Sequence, residues 1–260
     1  MPTLREQALA VLRQADPGLK AEAARALHLQ DDCGEALTLH EPPGLPGRPA
    51  EPQLVPHTAL KSRPVHTPAG RAALLHALAH IEFNAIDLAA DLVWRFGGMP
   101  PEFYRQWAVV AQEEALHFQL LRARLQATGH DYGDFPAHNG LWEMARKTRH
   151  DLLARLALVP RTLEARGLDA SPPIRAKLLA AGDTESAAVL DIILRDEIGH
   201  VAVGNRWYRH VCEARGLDPV ATYAQLARQY EAPRPRGPFN LDARRAAGFA
   251  EDELNALLAN

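Results

Sequence analysis

The sequence predicts an all-α protein, a four-helix bundle with helical and extended segments added at both ends. Three observations predict it. Four long stretches repeat apolar residues at helical spacing between proline, glycine and capping residues. No segment alternates apolar and polar residues as a half-buried strand would. Two of the long stretches carry Glu-x-x-His in the middle of an apolar stripe, Glu114 with His117 and Glu197 with His200.

Thr3 to Leu27 reads as two short helices broken at Asp16-Pro17-Gly18, with Leu4, Ala8, Leu12 and then Leu19, Ala23, Leu27 at helical spacing. From Glu41 to Pro68, recurrent prolines rule out regular helix. The apolar Leu54, Val55 and Leu60 within this segment predict an extended wrap lying on the protein. Thr67-Pro68 caps and starts the first long helix, which runs to about Phe96 and stops at Gly97-Gly98. Pro100-Pro101 starts the second, through Leu125 to near Gly129, and His130 to Asn139 is loop. The third is expected from Gly140 to about Gly167 with a kink at Pro160, followed by a short helix opened by Ser171-Pro172-Pro173. Gly182-Asp183-Thr184 leads into the fourth, to about Gly216. Val220 to Tyr230 and Glu251 to Leu257 are shorter helices, with Pro233 to Gly237 extended between them. The expected organisation is residues 1–67, 68–216 and 217–260, as one compact unit.

Composition narrows the class. Net charge is -3, so no global field draws the chain to nucleic acid or anionic lipid. Two distant cysteines, Cys33 and Cys212, offer no disulfide framework and no thiolate metal site. No apolar run of about 18 residues could span a bilayer. The charged stretch Met1 to Lys20 has no signal-peptide core, so a cytoplasmic protein is expected.

The chemistry-bearing residues sit where apolar ones belong. Glu82 is the ionisable member of a stripe with Leu75, Leu78, Ala79, Ala85, Ile86 and Ala89. Glu114 and His117 interrupt Trp107, Val110, Ala111, Phe118 and Leu121, while Glu197 and His200 interrupt Leu190, Ile193, Leu194, Val201 and Gly204. Glu164 lies on the line of Leu153, Ala157 and Pro160, although Arg161 on that face could pair with it. Buried ionisable groups are costly unless paired or metal-bound. Glu82 and Glu114 are separated by almost the same distance in sequence as Glu164 and Glu197, so the pattern Glu then Glu-x-x-His occurs once in each half. In the first half, a turn near Gly97 to Pro100 puts Glu82 and Glu114 at similar depth.

This set resembles the ligands of ferritin-like di-iron carboxylate proteins, in which two helices each give a Glu and two give Glu-x-x-His. The segments His80–Leu88, Val159–Asp169 and Phe239–Arg244 are similar to a bacterial branch described only as a domain of unknown function. The resemblance implies metal ligation by Glu82, Glu114, His117, Glu164, Glu197 and His200, with Fe favoured and Mn the alternative. Four carboxylates would balance two divalent ions, and mixed carboxylate and imidazole donors suit these metals. It also implies that Asp196 and Glu113, each just before a ligand Glu, orient ligating histidines. The expected function is an oxygen-dependent oxidase or monooxygenase acting on a small-molecule substrate with an electron donor, and a homodimer is compatible with the sequence.

Three rivals stand beside it. A tRNA-modifying hydroxylase would need a basic surface that the charge does not supply. Iron storage would need a hollow shell that the end segments would obstruct. A metal-free helical binding module would have to bury six ionisable groups as salt bridges. Elsewhere, His76 and His80 are expected at the surface or as caps, Tyr208 in core packing, and Arg234, Arg236, Arg244 and Arg245 on a solvated or anchoring face. Gly199 is expected to make room for a neighbouring helix.

Overall fold

A computed structural model describes residues 1–30, 32–61 and 63–259. Among them the protein is all-helical, with one isolated parallel β-bridge between Leu54 and Ala137. The helices are α1 (Leu4–Arg13), α2 (Pro17–Arg25), α3 (Pro68–Arg95), α4 (Pro101–Ala127), α5 (Gly140–Lys147), α6 (Leu152–Leu158), α7 (Ala165–Ala180), α8 (Thr184–Ala214), α9 (Pro219–Gln229), α10 (Leu241–Ala246) and α11 (Glu251–Leu258). A short 3-10 turn at His57–Ala59 and a π-helical turn at Val159–Glu164 complete the set. Among the described residues no helix is long and apolar enough to cross a membrane. Contacts group the chain into two units, Met1–Trp142 with Lys177–Val189, and Glu143–Ala176 with Leu190–Asn260.

In the first unit α3 and α4 form an antiparallel pair, joined by the short turn after Phe96. Both begin on proline, and Thr67 caps α3 by accepting from the Gly70 amide at 3.1 Å. Helices α1 and α2 cover this pair, α1 against α3 and α2 against α4. The proline-rich segment lies on the unit as expected. The Gly47 amide donates to the Leu12 carbonyl at 2.7 Å, and Arg48 donates to Asn84 Oδ1 at 2.9 Å. The Val55 amide donates to the Ala137 carbonyl at 2.8 Å, tying the wrap to the loop that follows α4. Beneath the wrap, Lys20 meets Asp87 at 2.5 Å with both side chains fully buried.

The second unit departs from the sequence expectation, and each departure has a local cause. The third long helix is not continuous from Gly140. It stops at Lys147, and Asp151 caps a new helix by accepting from the Leu153 amide at 3.0 Å. Fully buried Arg155 holds that corner, donating to Thr148 Oγ1 at 3.0 Å and to the Ala145 carbonyl. Pro160 does not kink an α-helix but sits in the π-helical turn, where Thr162 Oγ1 donates to the Ala157 carbonyl at 2.9 Å. Pro172 and Pro173 do not open a helix. They lie inside α7, because the Leu168 carbonyl that Pro172 cannot serve accepts instead from Asn240 Nδ2 at 3.2 Å.

The helix-to-helix close approach in this unit is at Gly204, not Gly199. Nothing lies within 4 Å of a Cβ placed on Gly199, which is exposed. A Cβ on Gly204 would meet Pro160 Cβ at 2.6 Å. Gly204→Ala is therefore expected to cost about 1–3 kcal/mol of stability through overpacking. Urea unfolding checks this, and a loss no larger than that of Gly199→Ala would refute it.

Candidate metal centre

Three of the sequence-predicted residues come together in the first unit. Glu82 on α3 is 4% exposed, and on α4 Glu114 is 1% and His117 0% exposed. The antiparallel pairing places them at one level, and the i, i+3 spacing puts Glu114 and His117 on one face of α4. One ligand atom of each lies within 4.8 Å of the others. His117 Nδ1 is 3.6 Å from Glu82 Oε2 and 3.5 Å from Glu114 Oε2. These separations are long for hydrogen bonds. They are close to what two ligands of one ion show, since donors about 2.1 Å from a metal lie about 3 Å apart at right angles.

The electrostatics point the same way. Burial opposes protonation of His117, but its interactions with Glu114 and Glu82 outweigh that and push the imidazole up to about 11. The two buried carboxylates thus demand a positive charge at Nδ1, which a proton or a metal ion can supply. The donor set of two carboxylates and one imidazole fits a divalent transition metal.

The other predicted residues belong to the second unit. Glu197 and His200 on α8 are both buried, with His200 Nδ1 3.8 Å from Glu197 Oε1. Glu164 ends the π-helical turn and is half-buried. One turn later, a Cβ on Gly167 would lie 4.0 Å from the Glu197 carboxyl carbon, so that face of α7 meets the Glu197 side chain. Arg161 does not pair with Glu164. It makes its ion pair with Glu253, and its guanidinium lies 4.1 Å over the Tyr208 ring. Of the residues predicted to orient histidines, Asp196 receives Arg195 in a two-point contact at 2.8 and 3.1 Å, and Glu113 is half-buried. Tyr208 packs in the core as expected, donating to the Pro219 carbonyl at 2.7 Å.

Sequence reasoning missed several buried polar groups near these residues. His76 and His80 are buried rather than at the surface. Both face the loop after α4: the Gly133 amide donates to His76 Nε2 at 3.0 Å, and His80 Nδ1 meets the Tyr132 hydroxyl at 2.8 Å. Their i, i+4 spacing was visible, but burial depends on a loop more than 50 residues away. The anchoring to bundle acids expected of the basic tail holds for Arg244, while Arg245 lies on the solvated face. Arg244 pairs with Asp169 at 2.6 Å, and Arg245 with Glu251 at 2.7 Å. The Arg244 contact joins two of the sequence segments on which the family resemblance rested.

Comparison with known proteins adds relatives but no activity. A family model described as "Protein of unknown function (DUF455)" matches residues 13–255. A Haemophilus influenzae (strain ATCC 51907 / DSM 11121 / KW20 / Rd) protein, named "Uncharacterized protein", is 48% identical over 214 residues, covering 80% of this chain and 74% of the relative. No solved structure matches.

Proposed function

The chain belongs to the DUF455 family of proteins of unknown function, and on that footing we propose that it is a ferritin-like four-helix-bundle protein with a dinuclear metal site, an oxygen-dependent oxidoreductase acting on a small substrate. The observation that carries this reading is the buried group of Glu82, Glu114 and His117 between α3 and α4. Its sequence counterpart in the other half is Glu164, Glu197 and His200. In this reading the first three residues hold one side of the metal pair and the second three the other.

Iron is the metal the donors favour, with manganese the alternative. When bound, the pair supplies the redox chemistry with oxygen that protein side chains cannot. The residues around it do the rest. His117 ligates only as the neutral imidazole, so it gives up its Nδ1 proton on loading. Glu82 and Glu114, held by packed helices, present their charge without reorganising. Asp196 and Glu113 orient the histidines. The ligand side chains themselves are closed off from bulk water, Glu82 and Glu114 at 4% and 1% exposed and His117 at 0%.

Protein purified without chelator is expected to carry about two metal ions per chain, as this ligand set holds in its relatives by resemblance. His117→Ala and Glu197→Ala should each lower that to about one or less, with unchanged helical content by circular dichroism. Metal near zero in the parent protein, or full metal content in both variants, would sink the reading.

A further inference from the structure

The second unit contains a cavity of about 420 Å³ that the metal reading does not use. It lies between α9, the chain following it and α11, and the π-helical turn carries Arg161 into its wall. The size falls within the range of small-molecule sites, about 300–1,000 Å³. Its walls are mainly apolar, with Val220, Ala224, Ala227 and Leu257 beside the rings of Tyr223 and Phe249.

The charges in it are unevenly matched. Arg161 is 4% exposed, and its Nε and Nη1 have no hydrogen-bond partner. Its guanidinium is stacked within an aromatic box, 5.2 Å from the Phe249 ring and 5.6 Å from that of Tyr223. It shares Glu253 with Arg209. Arg244, also in the wall, is committed to Asp169. Arg228 and Arg234 at the exposed edge bond no acid among the described residues. Glu231 lies beside them in the wall, at φ 52 in the turn that ends α9, where the Ala232 amide donates to the Ala227 carbonyl at 2.9 Å.

We propose that this cavity binds a small organic monoanion, a carboxylate on an apolar, ring-sized body, with Arg228 and Arg234 receiving the head group over the buried Arg161. A carboxylate matches the planar guanidinium donors. The apolar walls and the rings of Tyr223 and Phe249 take the body. A dianion such as phosphate is disfavoured, because Glu231 and Glu253 line the same space and would repel the second charge. The inference stands apart from the metal proposal, since it rests on residues that ligate nothing in that reading.

Titration calorimetry on the full chain tests it, with 4-phenylbutanoate, its neutral counterpart 4-phenylbutanol, and inorganic phosphate as probes. The acid is expected to bind saturably and at least about tenfold more tightly than the alcohol, because the head group must pair with arginine. Phosphate is expected to compete weakly. The exposed pair Arg228→Gln with Arg234→Gln should weaken the acid about tenfold while leaving the alcohol unchanged. Ala224→Trp, which fills the cavity, should abolish both, with unchanged helical content. Equal affinity for acid and alcohol, no saturable binding of the acid, phosphate competing as strongly as the acid, or full binding by the Ala224→Trp variant would each overturn the proposal. Metal content enters none of these readouts, so the two proposals can fail separately.

Discussion

Lys20→Met is expected to lower the unfolding free energy by about 3–5 kcal/mol, because it strands a buried carboxylate. Lys20 Nζ is 2.5 Å from Asp87, and neither side chain reaches solvent. The ammonium also donates to the Gly47 carbonyl at 2.8 Å and lies 4.9 Å from the centre of the Phe83 ring. Burial raises the Asp87 pKa, and the charge of Lys20 is the main influence holding it down. Without the lysine, Asp87 must either stay charged in an apolar setting or take up a proton, and both cost stability. The double variant Lys20→Met with Asp87→Leu removes both charges and should recover most of the loss. Urea unfolding of parent, single and double variants provides the cycle. A single-variant loss below about 1 kcal/mol would refute the argument, since that is the range of an exposed pair.

The second large effect is acid lability from His76 and His80. Burial holds His76 down to about 4, only partly offset by the charge of Asp134. Burial likewise holds His80 down to about 4. The hydrogen bond to the His138 carbonyl opposes it, and the charges of Arg48, His76 and His138 add to it. Both histidines are depressed in the folded state relative to 6.5, so the unfolded chain binds protons first as pH falls. Their contribution is therefore fully present above pH 6.5, declines as pH falls, and levels off below about 4. At pH 5 each histidine should have cost about 2 kcal/mol relative to neutral pH, and about 3 kcal/mol when titration is complete. Denaturant midpoints between pH 7 and 5 measure this, and His80→Gln should flatten the dependence by about half. A variant with the parent's slope would assign the lability to other groups. The loop from His130 to Asn139 should loosen first, because a protonated His76 Nε2 can no longer accept from the Gly133 amide.

How much of the candidate site was legible depends on how local each signal is. Glu82, Glu114 and His117 were readable because a carboxylate within an apolar 3.6-residue stripe is anomalous on sequence alone, and a short turn fixes the depth of two antiparallel helices. Glu164 was harder. The π-helical turn at Val159–Glu164 shifts the helical register, so faces projected through Pro160 do not carry on as a straight α-helix would. That shift sends Arg161 to Glu253, 92 residues away, rather than to its neighbour Glu164. Lys20 gave no signal at all, since one lysine on a short amphipathic helix ordinarily faces water.

The sequence by itself determined α1 to α4 and α8, the starts of α3 and α4, and the positions of the anomalous acids and histidines, but not the break between α5 and α6 or the course of α7. Periodicity, proline and glycine are properties of a few consecutive residues, and Thr67, Pro68, Pro100 and Pro101 start helices wherever those helices pack. Only the tertiary structure decided which polar groups are buried and how their needs are met. The Leu168 carbonyl is served by Asn240, which lets two prolines ride inside α7. Asp87 is balanced by Lys20, and His80 is sealed by Tyr132. Each depends on partners more than 50 residues apart. Burial multiplies the cost of an unmet polar group, so these distant pairings govern stability although no local pattern announces them.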